Sequence, residues 1–334
     1  MHGQFIWYEL TTTDVGAAKK FYPRFTGWGT QPFDADYTMW TNGGAPFAGL
    51  FNLTDEMRAQ GIPPNWMPYV EVTSVDDSAA LATSLGGKVM HGPMDIPEVG
   101  RFAVVQDPQG ATLAIYKSAT GAEAWNGDPV VGKFSWHELM STDHVKGFEF
   151  YRRLFGWEKV NEMDMGGGAM YVVFGKSGKM YGGMFSMTEE WKAMHPFWLC
   201  YIHVKDVPRA VAIARQAGAV VQREPMEIPG GVISILGDPQ GAGFALHHVS
   251  APAAAPKAAK KSAAKPAPKA KAKPKQKAAA KAKPKSKPKK AAKRRPAKKA
   301  SRKPAKKAAK RTKSRAVKRA RSKPARRRSG KSKK

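Results

Sequence analysis

Apolar and polar residues alternate over positions 5–11, a strand pattern that puts Trp7, Glu9 and Thr11 on one face and Tyr8 and Leu10 on the other. Thr13 or Asp14 is placed to cap a short helix through Ala17, Ala18 and Phe21, which Gly27 ends. Strands are predicted at 37–41 and 46–51. The same order then recurs, with a strand at 67–72, a helix at 76–85 closed by Gly86-Gly87, and strands at 101–106 and 111–116. Asp107-Pro108-Gln109-Gly110 supplies a tight turn between the last two, because proline presets φ and glycine accepts a positive one.

This whole pattern occurs twice. Trp7-Tyr8-Glu9-Leu10 returns as Trp136-His137-Glu138-Leu139. At the same spacing, Asp14 returns as Asp143, Phe21-Tyr22 as Phe150-Tyr151 and Gly27-Trp28 as Gly156-Trp157. Further on, Pro93-Met94-Asp95-Ile96-Pro97 is answered by Pro225-Met226-Glu227-Ile228-Pro229, and Asp107-Pro108-Gln109-Gly110 by Asp238-Pro239-Gln240-Gly241. Such agreement marks a duplication, and a two-fold repeat of this length is a pair of domains rather than a solenoid. The expected fold is α+β, with two tandem domains at 1–121 and 132–250, a linker at 122–131, and a separate segment at 251–334.

On these motifs the body resembles the vicinal oxygen chelate superfamily of glyoxalases, extradiol dioxygenases and bleomycin-resistance proteins. The resemblance implies two glyoxalase-like domains, each of paired βαβββ modules. It also implies a divalent metal held by His and Glu side chains on the concave face. Carried over position by position, the first-strand ligand falls on Trp7 and Trp136. The ligand opening the second half-module falls near Val70 and Cys200, and the glutamate after the Asp-Pro-Gln-Gly turn falls on Ala114 and Ala245. Trp, Val and Ala cannot ligate a metal, so no metal and no other cofactor is expected.

Charge changes the picture of the remainder. Residues 251–334 contain 38 lysines and arginines, no acid and no aromatic, whereas residues 1–250 hold nineteen basic and 26 acidic residues, a net charge of −7. A segment of Lys, Arg, Ala, Pro and Ser cannot recover its ordering entropy by burying apolar surface, so it is expected to be disordered. It resembles linker-histone tails. Its dense runs, including Lys289, Lys290, Lys293, Arg294, Arg295, Lys306, Lys307, Arg311, Arg319, Arg326, Arg327 and Arg328, are expected to bind nucleic acid without sequence preference through counterion release. With one cysteine, Cys200, and no run of about 20 apolar residues, the expectation is a cytoplasmic protein associated with nucleic acid or the nucleoid, with no membrane partner.

The candidate chemistry lies on the Trp7 face. Trp7, Glu9, Thr11 and Tyr116 are expected to line one pocket and Trp136, Glu138, Met140 and His247 a second. A tryptophan wall stacks a planar or cationic ligand. A glutamate in apolar surroundings acts as a base or binds a cation, which makes Glu9 and Glu138 the catalytic candidates. The alternative is that both are fold residues bonded to neighbouring strands. His137 and His203 read as structural histidines, and His247-His248 as half of a metal site lacking its carboxylate. Three accounts of the whole stay open: a small-molecule-binding protein anchored on nucleic acid, a metal-dependent lyase, isomerase or dioxygenase, and an architectural nucleoid protein. The two repeats pair within one chain or exchange between two chains of a homodimer.

Overall fold

The computed structural model describes residues 2–121, 128–191 and 194–249. The basic segment and its twelve nucleic-acid-binding candidates lie outside the described residues.

Two eight-stranded sheets of identical connectivity form the body. The first comprises β1 (Phe5–Thr12), β2 (Gly29–Pro32), β3 (Tyr37–Asn42), β4 (Ala45–Asn52), β5 (Asn65–Glu71), β6 (Lys88–Ile96), β7 (Gly100–Gln106) and β8 (Thr112–Ser118), in the order β2-β3-β4-β1-β5-β8-β7-β6. The second comprises β9 (Phe134–Ser141), β10 (Glu158–Asp164), β11 (Met170–Lys176), β12 (Lys179–Ser186), β13 (Phe197–His203), β14 (Val220–Ile228), β15 (Gly231–Gly237) and β16 (Gly243–Val249), in the matching order β10-β11-β12-β9-β13-β16-β15-β14. In each, the opening strands of the two half-modules pair antiparallel, β1 with β5 and β9 with β13. The flanking pairs, β1 with β4 and β5 with β8, are parallel. Each half of the body is therefore a pair of modules joined at its central strands, as the repeat predicts.

Helices α1 (Val15–Phe21), α2 (Pro23–Thr26), α3 (Asp55–Ala59), α4 (Val75–Ser84), α5 (His144–Phe155) and α6 (Val207–Gln216) complete the described elements apart from a short 3-10 turn. Asp14 caps α1 by accepting from the Ala17 amide, and Asp143 and Asp206 cap α5 and α6 in the same way. The βαβββ module implies strands β6 and β14, but the hydrophobic pattern places neither. They lie at sheet edges and their side chains are largely exposed, so no alternation marks them.

The halves share one core. Phe5, Leu10, Tyr22, Trp28 and Trp66 from the first belong to the same buried cluster as Phe134, Tyr151, Trp157, Trp198 and Phe244 from the second. The repeated motifs make the seam. Tyr22 donates to Asp238 and Tyr151 to Asp107, both at 3.0 Å, so each Phe-Tyr helix clasps the Asp-Pro-Gln-Gly turn of the other half. Trp66 and Trp198 donate to these same tyrosine oxygens at 2.9 and 3.1 Å. The indole of Trp28 donates to the Gly132 carbonyl and that of Trp157 to the Gly3 carbonyl, a second reciprocal pair. At the centre the equivalent residues Tyr8 and His137 meet, 2.6 Å apart. The other nitrogen of His137 lies 2.7 Å from the Tyr181 carbonyl, which can only accept, so Nδ1 carries the proton and the Tyr8 hydroxyl donates to Nε2. Pairing of the repeats within one chain thus satisfies every one of these groups.

Candidate functional site

On the concave face of the first sheet, Glu9 is held from two sides. Its Oε1 accepts from Tyr37 at 2.7 Å and its Oε2 accepts from Tyr69. The Trp7 indole donates to the Tyr37 oxygen at 3.1 Å, which completes a Trp-Tyr-Glu-Tyr tetrad drawn from β1, β3 and β5. Burial raises the Glu9 pKa above the ordinary carboxylate value, and the Tyr69 and Tyr37 bonds oppose that shift. Burial likewise pushes both phenols up, with the Glu9 charge adding to it.

The second sheet repeats the tetrad. Glu138 accepts from Tyr171 and from Tyr201, each at 2.8 Å, and Trp136 donates to Tyr171 at 3.0 Å. Burial raises the Glu138 pKa in the same direction, against the bonds from Tyr201 and Tyr171. A glycine makes room in each copy. Gly49 lies beside Glu9 and Gly183 beside Glu138 in the register, and a Cβ on either would overlap the phenol of Tyr37 or Tyr171.

What surrounds the tetrads differs. In the first half a cavity of about 570 Å³ opens over the tetrad. Trp7, Glu9, Tyr37, Tyr69 and Tyr116 line it together with Phe33, Met39, Ile96 and Val99, and it reaches the seam at Phe47, Phe134 and Lys133. In the second half the same face is filled. Met140, Leu199, Tyr201, Ile235 and Ala245 form a buried cluster with Met187, against which Trp136, Trp191 and Phe197 pack. The first-half positions equivalent to Met140 and Phe197 are Thr11 and Asn65, and neither lines the cavity.

Of the expected pocket residues, Trp7, Glu9 and Tyr116 come together on the cavity wall, while Thr11 is buried in β1 outside the lining set. Trp136 and Glu138 form the second tetrad, and Met140 is part of the packed cluster. His247 lies 2.6 Å from the Ser135 hydroxyl, and burial drives its pKa down to about 3. The His203 ring meets that of His247 edge-on at 5.3 Å and stacks on that of His248 at 5.6 Å. The four tetrad tyrosines were missed by sequence reasoning. The signal was present in the pairs Tyr37–Gly49 and Tyr171–Gly183, which share one spacing although both have drifted relative to the opening motif.

The residues at the family's ligand positions do not fit a divalent cation. Ala114 lies beside Tyr69 in the sheet and Ala245 beside Tyr201. The concave-facing partner of Trp7 is Tyr69 rather than Val70, and that of Trp136 is Tyr201 rather than Cys200; Val70 and Cys200 point into the core. Both carboxylate oxygens of Glu9 and of Glu138 are already engaged by phenols. Among the described residues no group of three or more His, Cys, Asp or Glu side chains is arranged to hold a metal ion.

Comparison with known proteins gives this geometry its relatives. A family model described as Glyoxalase/Bleomycin resistance protein/Dioxygenase superfamily matches residues 133–246. The Mycobacterium tuberculosis protein named "Putative glyoxylase CFP32" is 32% identical over 248 residues, covering 72% of this chain and 92% of that protein. The anthracycline biosynthesis protein DauV of Streptomyces sp. (strain C5) is 28% identical, covering 72% of this chain and 91% of its own length. Among solved structures, the 2,3-dioxygenase LapB from Pseudomonas sp. KL28 superposes with a TM-score of 0.54 at 13% identity, over 74% of this chain and 93% of that one. The Mn(II)-bound glyoxalase from Novosphingobium aromaticivorans gives 0.51 at 16% identity, over 74% and 81%. At these identities the structural likeness shows the fold alone.

Proposed function

Because the chain belongs to the glyoxalase/bleomycin resistance protein/dioxygenase superfamily, we propose that it is a member that binds a planar aromatic compound in the cavity of its first half and is held on nucleic acid by its basic segment. The observation that carries the first part is the cavity itself: about 570 Å³ walled by Trp7, Phe33, Tyr37, Tyr69 and Tyr116. That volume is in the range of small-molecule sites, and aromatic walls favour offset or edge-to-face stacking with a flat ligand. Relatives named for anthracycline biosynthesis point the same way, since anthracyclines are flat fused-ring aromatics.

The tetrad supports binding over catalysis. It is built alike in the half with an open cavity and in the half whose face is filled, so its common role is to brace three strands. With two phenols donating to it, Glu9 presents a fixed polar floor rather than a free base.

Charge carries the second part. A segment with 38 cations and no acid meets the phosphate backbone by counterion release, and it offers no aromatic to stack on bases. Duplex and single strands alike would be bound, and the ligand-binding body would be concentrated beside them. Titrating the full chain with fused-ring aromatics while following tryptophan emission tests the first part. Saturable quenching that Trp7→Ala abolishes is expected. Quenching that the substitution leaves intact would place the ligand elsewhere.

A further inference from the structure

The polar groups on the cavity wall are nearly all committed to the protein itself. Glu9 is taken up by Tyr37 and Tyr69. His137 is bonded through both nitrogens, to Tyr8 and to the Tyr181 carbonyl, and burial holds its pKa down to about 3, so it is neutral. Ser135 is paired with His247, and Tyr116 donates to the Val99 carbonyl at 2.8 Å. Asp34, exposed at the rim, accepts from the amides of Asp36 and Tyr37 and so holds its own turn.

Lys133 is different. It lines the cavity where the first half meets the second, and its side chain is only partly exposed. Its backbone is pinned, the amide donating to Val130 and the carbonyl accepting from His203. Its ammonium group finds no hydrogen-bond or ion-pair partner among the described residues. With Glu9 engaged through both oxygens, and Asp34 forming no ion pair with it, the Lys133 ammonium is, among the described residues, an unpaired charge at the edge of the aromatic cavity.

We infer that the ligand is an aromatic acid whose anionic group, a carboxylate or an ionised phenol or enol, pairs with Lys133 while its ring system lies between Trp7 and the tyrosines. This rests on the cavity being the binding site and names the chemical class it takes. A cationic group is disfavoured beside Lys133, which repels it, and Glu9 has no oxygen free of a phenol donor to receive one. A charge-assisted bond to a partly desolvated ammonium is expected to give a preference of roughly tenfold over a neutral analogue.

The test uses the full chain at physiological salt with three probes of one shape: 2-naphthoate, 2-naphthalenemethanol and 2-naphthylmethylammonium. Titration calorimetry compares the wild type with Lys133→Met, Lys133→Arg and Lys133→Glu. All four proteins carry the same basic segment, so its attraction for anions cancels in the comparison. The wild type and Lys133→Arg are expected to prefer the naphthoate about tenfold over the alcohol. Lys133→Met should lose that preference while still binding the alcohol as the wild type does, which shows that the cavity is intact. Lys133→Glu should favour the ammonium. Equal affinity of the wild type for acid and alcohol, or a preference that survives in Lys133→Met, overturns the inference and leaves the cavity reading standing. Failure of the wild type to bind any of the three overturns both.

Discussion

The Tyr22 hydroxyl donates to Asp238 Oδ2 at 3.0 Å although 216 residues separate the two, and Tyr151 repeats the bond to Asp107 from the other half. Each phenol oxygen also receives a tryptophan N–H, from Trp66 or Trp198. Replacing Tyr22 or Tyr151 by Phe therefore leaves a buried carboxylate oxygen and a buried indole N–H without their partner. Each substitution should cost about 1–3 kcal/mol, read by denaturant unfolding of the full chain. The two should be alike to within about 0.5 kcal/mol because their surroundings match. A change below that for both would mean that water replaces the phenol and that the clasp adds nothing.

The tetrads depend on glycine. Gly49→Ala and Gly183→Ala place a methyl group where the phenols of Tyr37 and Tyr171 lie. Overpacking of this kind costs about 1–3 kcal/mol. Displacing Tyr37 also releases the Trp7 indole into the cavity, so Gly49→Ala should weaken ligand binding and Gly183→Ala should not. Equal effects on binding would argue that the two halves are functionally equivalent.

The repeated motifs were legible in the sequence because they recur at one spacing, and they proved to be the residues that clasp the halves: Tyr22, Trp28, Asp107 and their counterparts. The tetrads were legible only in part. Periodicity put Trp7 and Glu9 on one face, but Tyr37 and Tyr69 arrive from other strands, and no linear pattern announces a bond across a sheet. The regular antiparallel register from Thr11↔Asn65 and Met140↔Phe197 puts Tyr69 opposite Trp7 and Tyr201 opposite Trp136, and not Val70 and Cys200. Whether a face is open or filled was not legible at all. It depends on Met187, Leu199 and Ile235 converging on Met140, a property of packing and not of any one strand.

Acid should loosen the seam through its histidines. Burial holds His137 down to about 3 from its ordinary 6.5, so the folded state keeps it neutral. Its contribution to stability is complete above about pH 6.5 and is lost as the pH falls toward 3, at about 1.4 kcal/mol per pH unit. The buried acids Glu9, Glu138, Asp107 and Asp238 have raised values and shift stability the opposite way, favouring the fold while protonated and weakening it as the pH rises through those values. A difference measurement isolates the histidine. The stability gap between the wild type and His137→Gln should shrink between pH 6.5 and pH 4, and a constant gap would contradict the neutral, doubly bonded imidazole.

Nucleic-acid binding should follow the basic segment. With even six phosphates neutralised, log K falls with log salt at a slope of roughly −5. Gel-shift titrations of the full chain at several salt concentrations check the slope. A chain ending at residue 250, with its net charge of −7, should not shift duplex DNA. Retention of binding by the shortened chain, or a flat salt dependence, would remove the segment's assigned role.

The most direct test of the central claim is the stoichiometry of a planar aromatic ligand, measured by calorimetry on the full chain in the presence of a metal chelator. One ligand per chain, with affinity unchanged by the chelator and lost in Trp7→Ala but not in Trp136→Ala, is the predicted result. Two ligands per chain, or binding that appears only when a divalent metal is restored, would contradict it.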